Sequence, residues 1–106
     1  MLEKLEGLAD RCDELENQLA SPNLYDDPER AAALTKEHRT LQPILKTYRA
    51  YQTACQDEQD AKELLEEAGG DADMHALAQE TLASSREQKE QLEQELKILL
   101  LPKDAR

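Results

Sequence analysis

The sequence has 106 residues, a length that suits one domain with a modest core. Charged side chains make up 35% of it and the net charge is −11, which disfavours nucleic acid as a general partner. Val, Phe and Trp are absent while Leu and Ala dominate, so the composition argues against a sheet and leaves helix or disorder. The periodicity described below favours helix.

The first predicted helix runs from about residue 2 to residue 20. Apolar side chains recur every three or four positions, which keeps them on one helix face. Pro22 ends the helix, because proline biases the preceding residue away from helical backbone angles. The stripe consists of Leu2, Leu5, Leu8, Cys12, Leu15 and Leu19.

The second predicted helix spans about residues 28–68. Asp27 offers a capping carboxylate, and Pro28 fits the first helical position, where its missing N–H forfeits no helical hydrogen bond. At the other end, Gly69 and Gly70 supply a left-handed stop.

Pro43 lies inside this second helix. We expect it to kink the helix rather than divide it, because the apolar stripe keeps its phase on both sides. The stripe positions are Leu34, His38, Leu41, Leu45, Tyr48, Gln52, Cys55, Ala61 and Leu65.

The third predicted helix covers about residues 73–101, with Asp71 or Asp73 as its cap. Its apolar face includes Met74, Leu77, Ala78, Leu82, Leu92, Leu96 and Leu99. Between Leu82 and Leu92 the stripe lapses into the polar residues Ser84, Ser85, Gln88 and Lys89. This lapse indicates weak packing or a stretch that faces a partner.

These elements predict an all-α fold, an antiparallel three-helix bundle with a long two-helix coiled-coil extension. The extension follows because the first helix is too short to cover the other two. The helical domain would occupy residues 1–101, and residues 102–106 would begin a linker to further domains.

The sequence contains no recognisable catalytic or metal-binding motif. A carboxylate metal site in a helical bundle uses Glu-x-x-His, and neither His38 nor His75 follows a glutamate at that spacing. His38 is better read as a packed or hydrogen-bonded histidine of the core stripe. Cys12 and Cys55 fall on stripe positions, and we interpret both as small apolar residues of the core. We therefore expect no enzyme activity, metal, cofactor or small-molecule ligand.

The chain has no apolar run long enough for a membrane span and no signal peptide, so we expect a cytoplasmic protein with reduced thiols. Its charge is uneven. Residues 29–55 hold five basic and two acidic side chains, a balance of +3, whereas residues 56–101 hold 13 acidic and 4 basic ones, a balance of −9.

At about 100° per residue, four basic side chains of the second helix point away from its apolar stripe. We call them the basic face: Lys36, Arg39, Lys46 and Arg49. Two interpretations stay open. The basic face is an ordinary solvated surface, or it docks on rRNA phosphate or an acidic protein.

Three segments, taken in order, resemble the N-terminal domain of bacterial class-I peptide chain release factors, and the resemblance covers essentially the whole chain. The last segment is similar to the ending of the type that reads UAA and UAG. The segments are Met-Leu-Glu-Lys-Leu-Glu-Gly-Leu at residues 1–8, Asp27-Pro28-Glu29-Arg30 through Leu34-Thr35-Lys36-Glu37-His38 to Leu41-Gln42-Pro43-Ile44, and Leu99-Leu100-Leu101-Pro102-Lys103-Asp104.

This resemblance implies a monomeric, non-catalytic arm of a translation termination factor. In that family the arm reaches toward the stalk-base region of the large ribosomal subunit and the neighbourhood of the recycling GTPase. A Pro-x-Thr tripeptide reads the stop codon there and a Gly-Gly-Gln loop promotes peptidyl-tRNA hydrolysis. Neither motif occurs here, since Gly69 and Gly70 are followed by Asp71. The alternative function is a free-standing coiled-coil adaptor or chaperone-like module that self-associates.

Overall fold

The computed structural model describes residues 1–102. Within that range the chain is helical and contains no strand, so the all-α prediction is confirmed. The helices are α1 (Leu2–Leu19), α2 (Pro28–Ala68) and α3 (Ala72–Leu99). A short 3-10 helix, Pro22–Asp26, fills what the sequence indicated only as a turn. Apart from Pro102, the predicted linker lies outside the described residues.

The ends of the helices follow local chemistry. The backbone N–H of Arg30 donates to Asp27 Oδ1 over 3.1 Å at the start of α2. The N–H of Met74 donates to Asp71 Oδ1 over 3.1 Å, so Asp71 and not Asp73 caps α3. Gly69 has φ +53°, a left-handed conformation that ends α2.

Helix α2 continues through Pro43. The prediction that this proline does not divide the helix is confirmed, while the kink stays a prediction. The physical reason for continuity is that one lost backbone hydrogen bond is outweighed by the packing of apolar residues on either side. Leu41, Ile44 and Leu45 are all buried around it.

The chain falls into two compact units, Met1–Lys46 and a second that begins at Thr47. In the first unit, α1 packs antiparallel to the start of α2. Gln18 lies near Arg30, whereas Cys12, earlier on α1, lies near Gln42, later on α2. The buried residues of this unit are Leu5, Cys12, Leu15, Leu24, Leu34, Leu41, Ile44 and Leu45.

In the second unit, the remainder of α2 runs antiparallel to α3. Residues 50–54 share a groove with residues 88–95, and residues 57–64 share another with residues 77–88. Most buried side chains here are small, and small contacts let two helix axes approach closely. They are Ala54, Ala61, Ala68, Ala78 and Ser85, with Tyr48 and Leu96 as the larger members.

The structure differs from the predicted stripes of the second unit at several positions. Gln52 was predicted to face inward but is exposed. The residue before it, Tyr51, faces inward instead and is half-buried. Leu77 is 58% exposed, because Ala78 occupies the inward position next to it. The polar lapse between Leu82 and Leu92 lines a groove, with Ser84 and Gln88 exposed, but it also contains one buried residue, Ser85. Ser85 is 3% exposed, and its hydroxyl donates to the Thr81 carbonyl over 2.8 Å within α3.

Candidate functional site

All four residues of the predicted basic face are exposed on α2. Lys36, Arg39 and Lys46 are exposed in the first unit, and Arg49 is exposed in the second. Among residues 1–102, none of these four cationic groups forms an ion pair with a carboxylate. Their positive charge is therefore not neutralised by a direct contact.

Glu37 is the acidic residue that lies between Lys36 and Arg39 in sequence, and it is held by α1. Arg11 donates to both of its oxygens, from Nε to Oε2 over 2.7 Å and from Nη2 to Oε1 over 2.8 Å. These hydrogen bonds lower the pKa of the Glu37 carboxyl, and Glu37 in turn raises the pKa of Arg11. The guanidinium of Arg11 therefore compensates the negative charge of Glu37, the acidic residue next to Lys36 in sequence.

A second polar group lies deeper in the first unit, and we call it the Cys12 cluster: Cys12, Glu16, His38 and Gln42. Glu16 Oε2 lies 3.7 Å from the sulfur of Cys12 and 3.1 Å from Nε2 of His38. Gln42 Nε2 lies 3.5 Å from the same sulfur and 3.0 Å from the same ring nitrogen.

Burial decreases outward through the Cys12 cluster. Cys12 is 1% exposed, the His38 side chain 25% and the Glu16 side chain 52%. His38 is thus both partly buried and hydrogen-bonded, as the sequence predicted for a histidine on the core stripe. The cluster has a buried thiol at its base and a solvent-accessible carboxylate at its rim.

Sequence reasoning missed the Cys12 cluster because it searched for Glu-x-x-His. A signal was present, since Cys12 and Glu16 are four residues apart on α1, and His38 and Gln42 are four apart on α2. Residues at that spacing share a helix face. The register that brings the two pairs together depends on how the helices pack, and neither pair reveals it alone.

The second unit carries an ionic group between its helices. Glu58, with a side chain only 14% exposed, accepts hydrogen bonds from Lys89 over 3.2 Å and from Arg86 over 3.1 Å. Lys89 and then Arg86 lower the pKa of the Glu58 carboxyl, and Glu58 raises the pKa of Lys89. Burial, followed by a hydrogen bond with Cys55, raises the pKa of the Tyr51 hydroxyl. Cys55 itself is only half-buried rather than a core residue.

The larger groove of this unit is not suited to an anionic ligand. The larger one combines the apolar Ala61, Leu64 and Leu77 with the acidic Asp57 and Asp60. Such a lining repels phosphates and carboxylates. Within residues 1–102, every helix is too short or too polar to cross a lipid bilayer.

Residues 8–106 match the PCRF domain family, and the chain belongs to that family. This membership confirms the resemblance to class-I release factors drawn from the turn signals and the closing segment.

The particular relatives share one name, peptide chain release factor 1. The protein of Agathobacter rectalis is 44% identical over 104 residues, which cover 98% of this chain and 29% of the relative. That of Streptococcus gordonii is 39% identical over 102 residues, covering 96% of this chain and 28% of the relative. The chain thus spans under a third of the length of these relatives. No solved structure matches it.

Proposed function

We propose that this chain is a ribosome-binding accessory domain of a translation termination factor and acts in the cytoplasm. The observation that carries the proposal is its PCRF membership, joined to 44% and 39% identity with proteins named peptide chain release factor 1. The sequence has neither the Pro-x-Thr nor the Gly-Gly-Gln motif. Its role is therefore to position a factor on the ribosome, and it reads no codon and hydrolyses no bond. The comparisons lend no support to a free-standing adaptor.

The basic face is the surface proposed for docking. Its four cations stand unpaired by carboxylates within the described residues, and Arg11 compensates the nearby Glu37. Cations placed this way release counterions when they meet phosphate, which is the main source of affinity for nucleic acid. rRNA phosphate is the proposed partner, at the large-subunit stalk base and close to the recycling GTPase. The net charge of −11 would confine contact to this face.

Charge reversal at Lys36 and Arg39 tests the docking surface, because both lie in the first unit. We expect the variant Lys36→Glu/Arg39→Glu to lose ribosome affinity at low salt in a pelleting assay. The slope of log affinity against log salt should also fall, by about 0.7–0.9 for each phosphate that the variant no longer neutralises. The matched control is Lys4→Glu/Lys97→Glu, which changes the net charge equally at two other exposed lysines.

Unchanged binding by the Lys36/Arg39 variant, or equal loss in the control, would remove the basic face as the docking surface. Binding to a stalk-base rRNA fragment should show the same loss. If intact ribosomes lose affinity while the naked rRNA fragment never binds, the partner is an acidic ribosomal protein instead of rRNA. If the unsubstituted chain does not bind ribosomes at all, the proposed function itself fails.

A further inference from the structure

We infer that Cys12, Glu16 and His38 form a binding site for one Zn²⁺ ion within the first unit. Their ligand atoms, one sulfur, one carboxylate oxygen and one ring nitrogen, all lie within 4.8 Å of one another. A mixed sulfur, nitrogen and oxygen set is typical of zinc, whereas magnesium and calcium take oxygen ligands. This site is separate from the basic face and does not depend on the proposed function.

The spacing of the ligand atoms fits a tetrahedral ion. Zinc bonds of about 2.0–2.3 Å place neighbouring ligand atoms roughly 3.3–3.8 Å apart. Glu16 Oε2 lies 3.1 Å from His38 Nε2 and 3.7 Å from Cys12 Sγ. The third pair, Cys12 Sγ and His38 Nε2, lies within 4.8 Å, so rotation of the partly exposed His38 and Glu16 side chains would complete this geometry. The fourth position is filled by water or by the Gln42 amide oxygen after a half-turn of that amide.

Two groups compete for Nε2 of His38. Its Nε2 faces the Glu16 carboxylate, which only accepts, at 3.1 Å and the Gln42 amide nitrogen, which only donates, at 3.0 Å. With a proton on Nε2, His38 satisfies Glu16 but opposes the Gln42 donor. Without that proton it accepts from Gln42 but opposes Glu16. A metal ion at this point would accept lone pairs from both Nε2 and the carboxylate, and a half-turn of the Gln42 amide would turn its donor into a further lone pair.

The charges balance when zinc binds. The Cys12 thiol loses its proton to solvent and binds as thiolate, Glu16 binds as carboxylate, and His38 binds through the neutral ring with its proton on Nδ1. The two negative ligands neutralise the two charges of the ion. This balance matters because Cys12 is 1% exposed, and an uncompensated charge at that depth is costly.

The route into the site is open, and the ligands are pre-positioned. Glu16 has a side chain 52% exposed and His38 one 25% exposed, so an ion reaches the buried sulfur from the solvent side. Two ligands come from successive turns of α1 and the third from α2. Binding therefore ties the two helices together, and zinc should raise the thermal stability of the folded chain.

Titration of the reduced 106-residue chain with Co²⁺ tests the site, because cobalt replaces zinc and absorbs visible light. We expect a thiolate-to-cobalt charge-transfer band that saturates at one ion per chain and disappears on addition of Zn²⁺. Cys12→Ala should abolish the band. Glu16→Gln and His38→Gln should weaken binding about tenfold or more. Zn²⁺ should no longer raise Tm in Cys12→Ala, and it should raise Tm less in Glu16→Gln and His38→Gln than in the unsubstituted chain.

The chain supplies its own matched controls, because it has one other cysteine and one other histidine. Cys55→Ala and His75→Gln should keep the charge-transfer band and the zinc-dependent rise in Tm. Far-ultraviolet circular dichroism checks that each variant remains helical, and Glu16→Gln alters only a largely exposed side chain. The zinc site is overturned if the band is missing in the unsubstituted chain, survives in Cys12→Ala, or is lost in Cys55→Ala. These experiments do not measure ribosome binding. A negative result for zinc would therefore leave the proposed function untouched.

Discussion

Two adjacent glycines after α2 make different demands on the backbone. Gly69 has φ +53°, which side chains with a Cβ adopt only at a cost of roughly 1–2 kcal/mol. A Cβ added at Gly70 would meet no atom within 4 Å, and its φ is not in the left-handed range. We expect Gly69→Ala to lower the free energy of unfolding by about 1 kcal/mol. Gly70→Ala should be neutral or stabilising, and equal losses in urea denaturation would contradict the assignment.

The Arg11–Glu37 pair predicts a pH dependence of stability. Because the pKa of Glu37 is lower in the folded chain than its ordinary value of 4.5, the pair stabilises the fold fully above that value. The contribution is lost as the pH falls through the lower, folded pKa. The free energy of unfolding of Glu37→Gln should therefore lie below that of the unsubstituted chain at neutral pH and converge with it in acid.

A double-mutant cycle with Arg11→Gln separates this pair from general charge effects. If the pair carries the effect, Arg11→Gln/Glu37→Gln should lose less stability at neutral pH than the sum of the losses in the two single variants. This coupling should vanish in acid. A coupling that is independent of pH would show that the carboxylate of Glu37 is not its source.

At the residue scale, the features found from sequence were those that act within one helical turn. Asp27 as a cap and Gly69 as a stop depend on neighbours a few residues away, and both were predicted. The Cys12 cluster was not predicted, because its members come from two helices. Sequence periodicity shows which face Cys12 and His38 occupy but not which residues meet across the interface.

Small side chains dominate the contact between α2 and α3 in the second unit. Ala78 is fully buried there, and Ala83, on the same helix, is exposed. We expect Ala78→Leu to lower the free energy of unfolding by about 1–3 kcal/mol, because the added atoms force the helices apart. Ala83→Leu changes the same atoms on the solvent side and should alter stability by less than about 0.5 kcal/mol.

Chemical denaturation of both variants, followed by helical circular dichroism, measures this difference. Helix propensity works in the same direction at both positions and therefore cancels in the comparison. Equal unfolding midpoints would mean that Ala78 does not lie at a tight contact.

At the element scale, helix type and approximate length could be predicted, whereas the depth of burial could not. The continuity of α2 through Pro43 followed from the unbroken stripe. The weak packing predicted between Leu82 and Leu92 did not include the burial of Ser85, because a search for large apolar residues overlooks small contact residues. Burial of Ser85 depends on the hydroxyl finding its partner within α3, a contact that hydrophobicity does not encode.

For the whole molecule, charge and family membership bear on association. A net charge of −11 on 106 residues opposes self-association by mutual repulsion. We expect sedimentation equilibrium at micromolar concentration to give a monomer of 12.0 kDa. The measurement should be repeated at high salt, where the repulsion is screened. A stable dimer under both conditions would favour the self-associating adaptor over the accessory domain.

The function was predicted from a family resemblance, whereas the fold was predicted from composition and periodicity. Composition and periodicity led to helices and a basic face, and they would suit many helical proteins. The order of the turn signals and the closing segment pointed to the release factors, and PCRF membership confirms that family. The Asp27-Pro28 start of α2 thus served twice, as a folding signal and as part of the family resemblance.

The alanine-lined contact between α2 and α3 implies an unusual pattern of tolerance to substitution. In most helical proteins the large leucines are the least replaceable positions. Here Ala78 is fully buried and Ala54 and Ala61 are 2% exposed, so a saturation scan of the second unit should find these alanines among the most sensitive sites. Exposed leucines such as Leu77 should accept most replacements. Sequence change in this unit would then be limited chiefly at the buried alanines, which cannot be replaced by larger residues.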